Sequence, residues 1–190
     1  MSTPNKEYFV DVFQDMIDHI VEIYDPIIGV DPNQTGGEKP YALYGSLKAI
    51  VQELIERDDK KLNNYPLIAL ILDLEENAGT TLSNEYIISP RIIILEQTKK
   101  EFYPSERITN SFKTVLYPLY NLLLDEISLN PCLNTPHRDL IEHKKTDRLD
   151  WGTQQANDKL NEFLDGIDLR FTNLRVFKQL TENCILQANV

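Results

Sequence analysis

The stretch "YPLIALILDL", residues 65–74, is unbroken apolar chain from Leu67 to Leu72. A run that short with no polar alternation predicts a strand buried on both faces rather than one stripe of a helix. Pro66 fits at its start, where no ladder hydrogen bond is lost. A second strand is predicted over residues 86–98, "YIISPRIIILEQT", with Pro90 at an edge or a bulge, and the two are expected to pair. Late in the chain, "GIDLRFTNLRVF" alternates Ile167, Leu169 and Phe171 with Asp168, Arg170 and Thr172, which predicts a strand with one face in water.

Around these strands the period changes to that of helices. Phe9, Val12, Phe13, Met16, Ile17 and Ile20 recur at helical spacing between Glu7 and Tyr24, and Pro26 follows to stop the helix. Leu43, Leu47, Ile50, Val51, Leu54 and Ile55 predict a second helix that runs out in "ERDDKK". Between them "GVDPNQTGGEKP" is turn chemistry and reads as a loop. Residues 129–152 are polar without a clear period, and "NDKLNEFL" predicts a short helix after them. The expected order is α, α, β, β, α, loop, short α, β.

The central helix, "SERITNSFKTVLYPLYNLLLDEI", contains a proline at position 118. At 100° per residue Ile108, Phe112, Val115, Leu119 and Leu123 share an apolar face, and Pro118 lies on the flank with Thr114, Asn121 and Asp125. A proline there loses the bond to the Thr114 carbonyl, at about 3 kcal/mol. Burying five large side chains at about 1.5 to 3 kcal/mol each outweighs that, so a bent helix, convex to water, is expected.

Charge narrows the function. Thirty acidic against nineteen basic residues give a formal net charge of −11, which argues against nonspecific attraction to nucleic acid. Glu7, Asp11, Asp15, Asp18, Glu22 and Asp25 recur every three or four residues and form one acidic stripe on the first helix, a repulsive arrangement that nothing within the helix offsets. It is either a solvated face, a surface for basic groups, or a face turned to DNA that must not stick. At 190 residues and 42% hydrophobic, the chain suffices for one core, so residues 1–190 are read as one domain: helix and loop 1–40, core 41–178, extension 179–190. No run approaches the roughly 20 apolar residues of a membrane span, and "MSTPNKEYFVDVF" does not read as a signal segment, so a soluble cytosolic product is expected. Cys132 and Cys184 are expected as free thiols.

No catalytic set emerges. Cys132, His137, Asp139, Glu142 and His143 could ligate a metal but match no paired zinc spacing, and no phosphate loop, nucleophile elbow or metalloprotease helix is present in the sequence. His19 reads as a surface histidine, and Trp151 as a packing anchor or interface residue. The expectation is a protein with no cofactor, no metal and no enzymatic activity.

The helical start, "YPLIALILDL", "RIIILEQT", the helix opened by "SERI" with "VLYPLYNLLLDEI", and the late "DLRFTNLRVF" together resemble the tail terminator and tail completion (head–tail joining) proteins of tailed bacteriophages over about residues 40–178. The aromatic-proline step Tyr117–Pro118 is similar to one in that family's central helix. The chain departs from smaller members in its acidic first helix, in residues 129–152 and in "KQLTENCILQANV". The resemblance implies an α/β (α+β) fold, a small mixed, mainly antiparallel sheet flanked by helices. It also implies a virion protein that forms a homo-oligomeric ring at the tail or neck, meets other tail or portal-adaptor proteins, and lets DNA pass without binding it; a neck or adaptor ring of a short-tailed phage fits equally.

Interface or lumen candidates on this reading are the six acidic stripe residues, Tyr117, Pro118, His137, His143, Arg148 and Trp151, with residues 31–40 and 129–152 as protruding loops. Replacing 129–152 by a Gly-Ser linker is expected to abolish assembly and leave the monomer folded. The alternatives are an acidic protein-binding or regulatory module and a hydrolase using the acids and histidines of 129–152.

Overall fold

A computed structural model of the chain describes residues 9–24, 39–59, 64–72, 76–77, 85–133, 137–149, 163–172 and 174–177. The apolar run becomes β2 (Leu67–Ile71), and both of its faces are buried as its composition requires. Ile68 and Leu70 join one core cluster, while Leu67, Ala69 and Ile71 join a second on the opposite side. The sheet follows the order β1 (Tyr41–Gly45), β2, β5 (Arg91–Gln97), β7 (Leu164–Phe171), β6 (His143–Arg148), with β1–β2 parallel and the other pairs antiparallel. Helix α1 (Phe9–Ile23) and a helix running through residues 104–129 pack on the first face. Helix α2 (Leu47–Asp59) packs on the second. The fold is therefore a mixed, mainly antiparallel sheet flanked by helices.

A second sheet, β3 (Glu76–Asn77), β4 (Glu85–Ile88) and β8 (Leu174–Phe177), closes the first core with Ile88, Leu174 and Val176. This divides two expected strands. The stretch 86–98 breaks at Ser89–Pro90 into β4 and β5, and 166–177 breaks near Thr172 into β7 and β8, each half entering a different sheet. The expected pairing of β2 with β5 is present, Ala69 opposite Ile93.

Three further expectations are corrected. Leu43 belongs to β1, not to a helix, because Gly45 at φ +156° turns the chain and Ser46 caps α2, its Oγ accepting from the Ala49 N–H at 3.3 Å. Residues 129–152 are not a free loop: Cys132, Leu133 and Ile141 are buried and β6 is an edge strand of the main sheet, so the Gly-Ser exchange would remove a strand and unfold the subunit. β7 is not half in water, since only Arg170 along it is exposed. The loop residues 31–38, Glu7, Asp25, Trp151, Cys184 and residues 157–162 of the expected short helix lie outside the described residues, while Leu164, its expected end, is strand.

The central helix opens at Pro104, in the first helical turn where a missing N–H is tolerated, with the Tyr103 N–H donating to the Glu106 carboxylate at 2.8 Å. It runs as α3 (Pro104–Arg107), a π-helical stretch Ile108–Leu116 and α4 (Tyr117–Leu129). The π stretch answers the proline. The Tyr117 N–H bonds the Phe112 carbonyl five residues back, and Pro118 then falls in the first turn of α4. The wider turn also shifts the buried face. Phe112, Val115, Leu119 and Leu123 are buried as expected, but Ile108 is 44% exposed and Arg107 and Ser111 take the inward positions.

Candidate functional site

Two charged faces and an aromatic rim distinguish the surface. On α1, the buried set Val12, Phe13, Met16, Ile17 and Ile20 turns Asp15, Asp18 and Glu22 outward, with Asp11 half-buried at the start of the row. The helix lies over the β1 edge of the sheet, where the Tyr44 hydroxyl donates to Asp18 Oδ1 at 2.7 Å. Burial, then that hydrogen bond and the Asp18 charge, push the Tyr44 phenol well above its ordinary range. Tyr24, just past the helix, is pushed up to about 12 by burial and by the nearby Glu96 charge. His19 is half-buried and its Nδ1 sits 3.0 Å from Glu126 Oε2, tying α1 to α4.

The aromatic rim lies at the other edge, where α4 crosses β6. The Tyr117 hydroxyl donates to Asp147 Oδ2 at 2.9 Å, and Lys145 Nζ stands 4.6 Å above the Tyr117 ring while pairing with Asp147 at 2.6 Å. Tyr120 Oη is 2.9 Å from His143 Nε2, and His143 Nδ1 is 2.8 Å from the Ile141 carbonyl. A carbonyl only accepts, so Nδ1 is the donor in the contact with Ile141. His143 is thus a structural link packed against Phe171, ring centroids 5.5 Å apart. Pro118 is half-buried beside this rim. His137 is exposed and caps the short 3-10 turn Arg138–Leu140, accepting from the Asp139 N–H at 3.3 Å. Cys132 is a buried thiol, and among the described residues no three of His, Cys, Asp and Glu converge to hold a metal.

The opposite face of the sheet carries a group that the sequence reading passed over. Asp168 of β7, 2% exposed, takes both guanidinium bonds of Arg91, at 2.8 and 2.9 Å, and lies 3.4 Å from Arg148 and 3.7 Å from Arg170. Burial alone would raise the Asp168 carboxyl, but the Arg91 bond and the charges of Arg91, Arg170 and Arg148 outweigh it and hold the group below its usual range. Register places Arg91 and Lys144 on either side of Arg170, a row of three like charges. Arg148 was expected at an interface; here it borders Asp168, with its Nε buried and lacking a hydrogen-bond partner. On the first face Arg107 and Asp165 form a buried pair at 2.5 Å, pinning the start of the central helix to β7. The available signal was charge inside an apolar strand: "LDGIDLRF" spaces Asp165 and Asp168 so that they fall on opposite faces.

Comparison with known protein families and with curated proteins finds no match to this chain. No helix among the described residues is long and apolar enough to cross a membrane.

Proposed function

We propose that the protein is a structural subunit of a bacteriophage virion, a tail terminator or neck protein that assembles into a homo-oligomeric ring at the head–tail junction. On this reading it acts without catalysis or cofactor, contacts neighbouring tail or portal-adaptor proteins, and lets DNA pass without binding it, as a net charge of −11 favours. The observation that carries the reading is the placement of the central helix, with its Tyr117–Pro118 step, across a mixed sheet that ends in a charged edge strand. An oligomer of this kind needs two different faces per subunit, and the acidic α1 face and the Arg91–Arg148–Arg170 face meet that need.

Electron microscopy of the purified protein over a range of concentrations tests it. Closed rings with a central hole are expected, and their symmetry separates a six-fold terminator from a twelve-fold neck ring. Monomers at every concentration, together with no ring when tail tubes are supplied as template, would overturn it in favour of an acidic protein-binding module.

A further inference from the structure

We infer that the arginine face around Asp168 docks the acidic outer face of α1 of a second copy of this chain, head to tail. The inference rests on the ring reading and supplies its contact. Three arginines surround one carboxylate, and Arg91, Arg170 and Lys144 lie side by side across three strands. Like charges directly opposite are repulsive, and Asp168 neutralises only one of them. Arg170 is 56% exposed and reaches Asp168 only at 3.7 Å, and the Arg148 side chain is 31% exposed at 3.4 Å from the same carboxylate. These donors suit further carboxylates arriving from outside.

The chain supplies such carboxylates itself. Asp11, Asp15, Asp18 and Glu22 line α1, and the same chain carries a net charge of −11, so a cationic face is the exception on this molecule. The two faces are set for head-to-tail contact and cannot meet within one subunit. α1 lies over the β1 edge on the first face of the sheet, and the arginines lie toward the β6 edge on the second. A contact between different faces of identical subunits repeats, closing into a ring when its rotation divides the circle. Strand addition at the β6 edge, the edge nearest the arginines, is disfavoured by its own charges, Lys144, Lys145, Asp147 and Arg148. A passing DNA phosphate is the other anion such a face could take, and the acidic surroundings oppose it.

The test is sedimentation of the full chain over a concentration series at low and high salt. The wild type is expected to self-associate, more weakly at high salt. Arg148→Gln/Arg170→Gln, which leaves Asp168 held by both Arg91 bonds, is expected to raise the self-association Kd about tenfold or more, with circular dichroism and the unfolding midpoint checking that the fold is kept. Asp15→Lys/Glu22→Lys is expected to do the same from the other face. An equimolar mixture of Arg148→Glu/Arg170→Glu with Asp15→Lys/Glu22→Lys is expected to recover association, since every contact again pairs opposite charges.

A wild type that remains monomeric throughout, or folded variants that associate like the wild type, overturns the docking. Rings seen alike in wild type and variants overturn it while leaving the ring function standing. Charge-dependent oligomers without a central hole keep the docking and overturn the ring. Short duplex DNA that binds the wild type and not Arg148→Gln/Arg170→Gln, with self-association unchanged, assigns the face to phosphate and overturns the docking.

Discussion

Arg107 carries its charge into the interior at the start of a helix because Asp165, fully buried on β7, waits beneath it. A buried pair is a weak source of net stability, yet removing one partner strands a charge. Arg107→Met should therefore cost about 3 to 5 kcal/mol, and Arg107→Met/Asp165→Leu should cost less than the single change. Urea denaturation of both variants checks this. Asp168 gives a pH signature. Its folded carboxyl lies below the unfolded value near 3.9, so its contribution is present above that pH and is lost as pH falls through the lower folded value. Unfolding midpoints measured from neutral to acid pH should fall less steeply in that window for Asp168→Asn than for the wild type. Neither carboxylate was legible as buried, because alternation alone assigns polar residues to water; the guanidinium groups that hydrogen-bond them, Arg107 for Asp165 and Arg91 for Asp168, come from elements far along the chain, beyond the reach of any local pattern.

At the scale of elements, the amphipathic helices were the legible part, since the buried set of α1 follows its apolar spacing. The central helix was legible in extent but not in pitch. A proline on the flank of the apolar stripe disturbs the i→i+4 ladder, and the i→i+5 bond from the Tyr117 N–H to the Phe112 carbonyl is the change of register that accompanies it. Pro118→Ala is accordingly expected to change unfolding free energy by no more than about 1 kcal/mol, since proline in a first turn is tolerated. Chemical denaturation that showed a gain near the 3 kcal/mol typical of a helix interior would overturn this. Helix α1 should respond to alkali. The Tyr24 phenol is held protonated to about 12 when folded and ionises near 10 when unfolded, so its contribution is intact below 10 and is lost as pH rises to 12. Tyrosinate absorbance followed beside circular dichroism should show its ionisation coinciding with loss of structure in the wild type, and Tyr24→Phe should keep its structure further into that range.

For the whole molecule, the two-faced burial of β2 was readable, and with it the layered core. The division into two sheets was not, because Ser89–Pro90 and Thr172 are punctuation that a bulge would share with a strand break. β6 was hidden by its composition: "HKKTDR" has no apolar period, because one of its faces is charged and the other packs on Tyr117 and Tyr120 through Lys145 and His143. Replacing 143–148 by Gly-Ser residues should remove cooperative unfolding, seen as a broad thermal transition. The strand order has a consequence during biosynthesis. β7 inserts between β5 and β6, both of which leave the ribosome first. From the emergence of Gln97 to that of Phe171, roughly 4 to 15 s at ordinary synthesis rates, β5 presents an open, isoleucine-rich edge and β6 has no neighbour, so the nascent chain passes through an interval in which shielding by chaperones governs its yield.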